Sequence, residues 1–152
     1  MKTKALIITY YWPPSGGPGV QRWLKLSNYL LENNIKPIIY TPDNPRHPFL
    51  DYSFLDDINS EIEVIKAPIF EPFSFFNKIV NKIRRGGVPN YKDQSLTEKF
   101  LIYIRGNFLI PDSRIFWVKP STKFLSKYLL ENKINTVITS GPPHSLHLIG
   151  LK

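Results

Sequence analysis

The chain has 152 residues, the size of one domain, and 42% of them are hydrophobic, which is typical of a globular protein. It contains no cysteine, so disulfides, thiolate metal sites and cysteine nucleophiles are excluded, and the composition suits a reducing cytoplasm. No apolar run approaches the roughly 20 residues that span a bilayer. The net charge of +8 favours an anionic partner such as nucleic acid, an anionic membrane surface or a phosphorylated small molecule.

The beginning of the chain predicts one strand–helix–strand unit. Ala5–Tyr10 is a continuous apolar run, typical of a strand that is covered on both faces. The prolines and glycines of Tyr11–Gly19 indicate a loop, and from Val20 the apolar residues recur with the period of a helix that ends near Asn33. A second strand is predicted at Pro37–Thr41. Such a unit is the building block of parallel sheets.

A similar helix and strand are predicted near the other end of the chain. The 16 residues Leu125–Ser140 match Leu26–Thr41 at nine positions, with a constant offset of 99 residues. An internal repeat and convergence on a helix–turn–strand template both explain this match. Either explanation places a helix end near Asn132 and a strand at Thr136–Thr139, before a Gly-Pro-Pro-His loop and a helix that begins at Ser145.

The middle of the chain adds one predicted strand and three predicted helices. Glu61–Ala67 alternates in the manner of a strand, and the polar stretch Arg85–Ser95 reads as a loop. Strands that alternate with helices predict an α/β fold, a Rossmann-like parallel sheet with helices on both faces. Because four strands are few for such a sheet, we expect residues 1–152 to form one domain that is incomplete at its C-terminus. The three helical patterns cover Phe73–Ile83, Leu96–Phe108 and Lys119–Lys133.

Two loops rich in glycine and proline follow the first and last predicted strands, and each precedes a helix. Ligands of an open parallel sheet bind beyond the carboxyl ends of its strands, and helix N-termini attract anions. In the first loop, Gly16, Gly17 and Gly19 would let a phosphate approach the backbone, and Arg22 lies one turn into the helix. The alternative is a tight turn beside a surface arginine, because the glycine spacing fits neither the dinucleotide fingerprint nor the P-loop.

The second loop contains His144, directly between a strand and a helix. This position favours a functional role, whereas His147 is expected to pack within the helix and His47 lies in a proline-rich loop. Three histidines in unrelated segments and the lack of paired carboxylates at ligand spacing give no metal constellation, so no metal cofactor is expected.

The segment Phe73–Arg85 allows two interpretations. Its phenylalanines fall on one side of a helix, which suits either an amphipathic helix on an anionic membrane or an ordinary helix that covers the sheet. The basic residues of this segment are Lys78, Lys82, Arg84 and Arg85.

Three segments together resemble one protein family. The opening, LIITYYWPPSGGPGVQRWLKLSNYLLENNIKPIIYT, resembles that of family 4 glycosyltransferases of the GT-B type, in which a Pro-x-x-Gly-Gly loop precedes a helix with an arginine near its start. Ile110–Trp117 is similar to a Pro-Asp-x-x-x-x-Trp stretch of bacterial members, and Thr139–Ser145 resembles a loop after a later strand. The resemblance covers almost the whole chain in the same order, with Asp43–Asn107 matching weakly.

The resemblance implies the N-terminal, acceptor-side half of a GT-B fold, without the C-terminal domain that binds the donor. It implies transfer of a hexosyl-type sugar, with retention, from a nucleotide-sugar to a glycan or lipid-linked acceptor in cell-surface polysaccharide synthesis. No metal or other cofactor is implied. The protein would lie in the cytoplasm, peripheral on the inner face of the membrane. These 152 residues alone are expected to be inactive.

The resemblance also implies roles for individual residues. His144 would lie near the transferred sugar and assist its position and charge. The glycine loop and Arg22 would approach donor or acceptor phosphate. The remaining residues carried over belong to the acceptor-side loop, and the complete set is Gly16, Gly17, Gly19 and Arg22 for phosphate, Ser140, Gly141 and Pro143 for the loop, and His144 for catalysis.

Two other functions compete with this one. A basic α/β module without catalysis would bind nucleic acid or a membrane surface, but the basic residues form no long stripe and no recognised motif, so nucleic acid is not expected. A nicotinamide dehydrogenase needs an acidic residue after the second strand, where Asp43 lies, but the glycine spacing does not fit.

Overall fold

The computed structural model describes residues 3–45, 49–71 and 96–152. They form a four-stranded parallel sheet with the strand order β3-β2-β1-β4, so the predicted Rossmann-like α/β fold is confirmed. The strands are β1 (Thr3–Thr9), β2 (Ile35–Pro42), β3 (Glu63–Ala67) and β4 (Thr136–Ser140). The helices are α1 (Pro18–Glu32), α2 (Leu96–Phe108), α3 (Ile115–Glu131) and α4 (Ser145–Gly150), with a 3-10 helix at Tyr52–Leu55.

Two hydrophobic cores lie on opposite faces of the sheet. On one face, Leu6 and Ile8 of β1 pack with buried residues of α3 and α4. On the other face, Ile7 packs with Leu24 and Leu31 of α1. Successive residues of a strand point to opposite faces, so a strand covered by helices on both sides needs apolar residues at every position. This requirement explains the continuous apolar run at the start of the chain.

The near-repeat in the sequence corresponds to a shared way of ending a helix. The side chain and the backbone N–H of Asn33 both donate to the carbonyl four residues earlier, and Asn132 does the same at the end of α3. The next residues, Asn34 and Lys133, both have positive φ angles, 61° and 54°. The predicted helix ends at Asn33 and Asn132 are therefore confirmed, and the two segments share their turn geometry as well as their sequence.

The start of α3 differs from the prediction. The helix begins at Ile115, four residues before the predicted Lys119, and Pro120 lies inside it. A proline usually marks the first turn of a helix, so the sequence pattern suggested a later start. The true start follows a turn in which the Asp112 side chain accepts the N–H of Arg114 at 2.8 Å.

The other boundaries agree within about two residues, the usual uncertainty of a helix or strand end. The predicted helix Phe73–Ile83 and most of the predicted loop Arg85–Ser95 lie outside the described residues, as does the basic cluster within Phe73–Arg85. In the ranges that the structure describes, no helix is long and apolar enough to cross a membrane.

Candidate functional site

The ends of β1 and β4 place the two predicted loops next to each other. The two strands are parallel neighbours, and their register pairs Thr9 with Ser140, so both strands end at the same level. From β1 the chain crosses to β2 on one side, whereas β4 lies on the other side. Such a point, where the strand order reverses, is where open α/β sheets bind ligands.

A pocket of about 290 Å³ lies between the two loops. It contains six of the eight site residues predicted from the sequence: three glycines and an arginine from the first loop and helix, and two residues from the second loop. The other two, His144 and Pro143, do not line it. The residues that line the pocket are Thr9, Tyr11, Gly16, Gly17, Pro18, Gly19, Val20, Arg22, Trp23, Phe49, Ser140, Gly141 and Pro142.

The glycine loop is held in place by the segment that contains Phe49. The N–H of Gly16 donates to the Phe49 carbonyl at 3.0 Å, and the N–H of Asp51 donates to the Pro14 carbonyl at 2.8 Å. The Gly16 N–H is therefore not free to bind an anion. The first turn of α1 provides free donors instead, because the N–H groups of Gly19 and Val20 precede the first helical acceptor and no side chain caps them.

Two glycines of this loop are required by geometry, and one is not. Gly17 has φ 113° and ψ 164°, a backbone conformation that side chains other than glycine rarely adopt. At Gly16, an added Cβ would lie 2.2 Å from a ring carbon of Phe49. At Gly19, an added Cβ would meet no atom within 4 Å. The loop thus packs an aromatic ring against backbone at Gly16 and turns sharply into the helix at Gly17.

Aromatic side chains form part of the walls of the pocket. Tyr11, Trp23 and Phe49 all line it, and the Trp23 indole N–H donates to the Ser140 hydroxyl, which joins α1 to the end of β4. Arg22 is exposed, and its guanidinium carbon lies 6.0 Å from the centre of the Trp23 ring. A pocket with aromatic walls, a few polar groups and one cation suits a ligand that combines an apolar face with a negative charge.

The histidines lie beside the pocket rather than in its wall. His144 is exposed and occupies the N-cap position of α4, and its ring centre lies 6.0 Å from that of His147. His147 lies 2.8 Å from the Thr139 hydroxyl through Nδ1, and a Cβ on Gly141 would be 2.7 Å from its Nε2. His147 therefore packs on the second loop, in agreement with its predicted packing role. His47 lies outside the described residues.

Asp112 fixes the second loop from a distance. Its two carboxylate oxygens accept the Ser145 hydroxyl at 2.7 Å and the Ser145 N–H at 2.8 Å, in addition to the N–H of Arg114. Burial alone would raise the pKa of Asp112, but these hydrogen bonds and the positive charge of Arg114 outweigh it and lower that pKa. One ionised carboxylate thus serves the turn before α3 and the first residue of α4.

Arg114 belongs to a second polar cluster at the end of β1. Its Nε lies 2.8 Å from a carboxylate oxygen of Glu71, which also accepts the Tyr10 hydroxyl at 2.9 Å. The guanidinium carbon of Arg114 lies 4.9 Å from the centre of the Tyr10 ring. The Pro-Asp-x-x-x-x-Trp motif was visible in the sequence, but the partners of Asp112 and Arg114 lie far away along the chain.

The Trp117 residue of the same motif is 1% exposed and stacks on Tyr40, with ring centres 5.4 Å apart. Every described contact of this motif is thus made to the body of the domain and none to the pocket lining. The motif stabilises the fold that positions the second loop.

Within the described part of the chain, no group of three or more His, Asp or Glu side chains is placed to hold a metal ion. Comparisons with protein-family models, with curated proteins and with solved structures found no match for this chain. The argument for a function therefore rests on the residues and the pocket.

The first prediction concerns the carboxylate of Asp112. Asp112→Asn should lower the free energy of unfolding by about 1–3 kcal/mol near neutral pH, because an amide nitrogen replaces one of two accepting oxygens and faces an N–H donor. The folded-state pKa is lowered, so this stabilisation is present above the ordinary value of 3.8 and is lost as pH falls through the folded-state pKa. Urea denaturation at several pH values measures the difference.

Asp51→Asn is the matched control. Asp51 also accepts hydrogen bonds from nearby donors, the N–H and hydroxyl of Ser53, but both bonds use the same oxygen, which asparagine retains. Its effect should be smaller. Equal effects of the two substitutions, or an Asp112→Asn effect that does not shrink in acid, would contradict the assigned role.

The second prediction concerns the glycine loop. Gly17→Ala should destabilise the protein by about 1–3 kcal/mol, because alanine is strained at the φ and ψ of Gly17. Gly19→Ala should be neutral or stabilise by up to about 1 kcal/mol, because its methyl group meets open space and alanine favours the helix. Thermal and urea unfolding of the two variants test this contrast, and a tolerated Gly17→Ala would show that the loop geometry is wrong.

Proposed function

We propose that this chain is the acceptor-side, Rossmann-like domain of a GT-B glycosyltransferase, which transfers a sugar from a nucleotide-sugar to a glycan or lipid-linked acceptor. The observation that carries the proposal is the shared pocket. The glycine loop and the loop after β4, both noted from the sequence, line one pocket at the point where the strand order reverses. A simple tight turn in the first loop would not explain this meeting of the two loops.

The first turn of α1 supplies the chemistry that a diphosphate needs. The free N–H groups of Gly19 and Val20 lie at the positive end of the helix dipole, and Arg22 adds a full charge beside them. Departure of a nucleoside diphosphate builds negative charge on its phosphates. Donors that are already oriented stabilise this charge without reorganising, which lowers the barrier to transfer.

The aromatic walls of the pocket supply a surface for a sugar ring. The rings of Trp23 and Phe49 can pack against the apolar C–H face of a sugar, whereas the hydroxyl groups of the sugar need only a few polar partners. Ser140 is one such polar residue, and its position is fixed by the hydrogen bond from Trp23.

His144 has a role in this proposal only if a ligand extends beyond the described pocket. Its ring is exposed at the start of α4, next to the second loop. A nucleotide-binding domain that closes over this edge of the sheet would enclose the ring together with the transferred sugar and exclude water. The proposal includes a cytoplasmic location, peripheral on the membrane that holds a lipid-linked acceptor.

The proposal predicts sugar transfer by the polypeptide that the complete gene encodes. His144→Ala and Arg22→Gln should each lower turnover more than tenfold with an unchanged melting temperature, because both side chains are exposed and would touch the substrate. A panel of nucleotide-sugars and lipid-linked or oligosaccharide acceptors, with product detection by mass spectrometry, measures this turnover.

Lys25→Gln provides the control on the same helix. Lys25 is exposed and pairs with Asp57 at 2.8 Å, away from the pocket, so its loss should leave turnover within about twofold. Lack of transfer from every nucleotide-sugar would refute the proposed function. Normal turnover in both His144→Ala and Arg22→Gln would refute the proposed site.

A further inference from the structure

Helix α2 carries an apolar stripe that faces solvent. Leu96, Phe100 and Tyr103 follow the spacing i, i+4 and i+7, which places them on one face of the helix. Their exposed fractions are 84%, 62% and 60%. Such a stripe normally faces a protein core, so its exposure indicates a surface that meets something other than water.

The apolar exposure continues beyond the end of α2. Phe108 and Ile110 are 71% and 65% exposed, and the next exposed ring is that of Phe116 in the first turn of α3. The Phe116 ring meets the exposed Phe70 ring edge to face, with centres 6.1 Å apart. We call this set the aromatic surface, and its members are Phe70, Leu96, Phe100, Tyr103, Phe108, Ile110 and Phe116.

The same part of the chain is strongly basic. Residues 96–130 contain six lysines and arginines but only two acidic residues. Lys99, Lys119 and Lys123 are exposed. Of the two acidic residues, Asp112 is engaged by Ser145 and by the N–H of Arg114. The segment thus holds about half of the net charge of the protein, next to its largest group of exposed aromatic side chains.

We propose that the aromatic surface docks on an anionic lipid bilayer. Phenylalanine and leucine side chains enter the boundary between headgroups and acyl chains, and neighbouring lysines are attracted to anionic headgroups. The charge of the segment selects this occupant, since a neutral apolar partner would not explain the excess of lysine and arginine. The surface consists of described residues outside Phe73–Arg85, lies outside the pocket lining, and does not depend on the proposed transferase activity.

Co-sedimentation of the unchanged chain with lipid vesicles is the first test. Binding to vesicles with one third phosphatidylglycerol should exceed binding to pure phosphatidylcholine at least tenfold in low salt. It should fall severalfold in about 0.5 M salt, because salt screens the attraction between lysines and headgroups. Absence of binding to anionic vesicles, or equal binding to both compositions, would overturn the proposal.

Paired substitutions locate the surface. Phe100→Gln with Phe108→Gln should lower the partition coefficient on anionic vesicles at least tenfold. The control is Tyr29→Gln with Tyr52→Gln, which removes two aromatic side chains of similar exposure from outside the aromatic surface, and it should bind normally. Circular dichroism melts confirm that both variants fold.

Two further outcomes would also overturn the proposal. Equal loss of binding in both paired variants would show that the aromatic surface has no special role. A dimer that sedimentation detects without vesicles, and that Phe100→Gln with Phe108→Gln abolishes in the absence of any lipid binding, would assign the surface to a second copy of the chain.

Discussion

The arrangement of the domain depends on the carboxylate of Asp112. It accepts the N–H of Arg114 before α3 and two hydrogen bonds from Ser145 at the start of α4. Because these two helices cover the same face of the sheet, one side chain sets their relative position. The loop between β4 and α4 is consequently fixed at both ends, by the register of β4 and by Asp112. The second wall of the pocket is a consequence of this bond.

The first wall has a different origin. The glycine loop is shaped by the positive φ of Gly17 and by the Phe49 ring against Gly16, and Trp23 connects it to Ser140. The two walls meet because Thr9 and Ser140 are partners in a parallel sheet. Neither wall contains a chemical group of unusual reactivity. Position at the edge of the sheet, free N–H groups and one arginine give the pocket its affinity for a phosphorylated ligand in our account.

Local patterns were sufficient for the elements and insufficient for their contacts. Apolar runs and asparagine-ended helices predicted β1, α1 and the turns after Asn33 and Asn132, because these depend on neighbouring residues. The bond from Ser145 to Asp112 and the contact between Gly16 and Phe49 each join residues 33 positions apart, so no local pattern predicts them. The exposure of His144 was equally hidden, since it depends on how the second loop packs.

The central claim is that both loops contact a single ligand, and hydrogen–deuterium exchange tests it most directly. The complete gene product is compared with and without a nucleotide-sugar and an acceptor, and peptides from the two loops are followed by mass spectrometry. Our account predicts slower exchange in Tyr11–Trp23 and in Ser140–Ser145 at the same ligand concentrations. Protection of only one loop, or of neither, would contradict it.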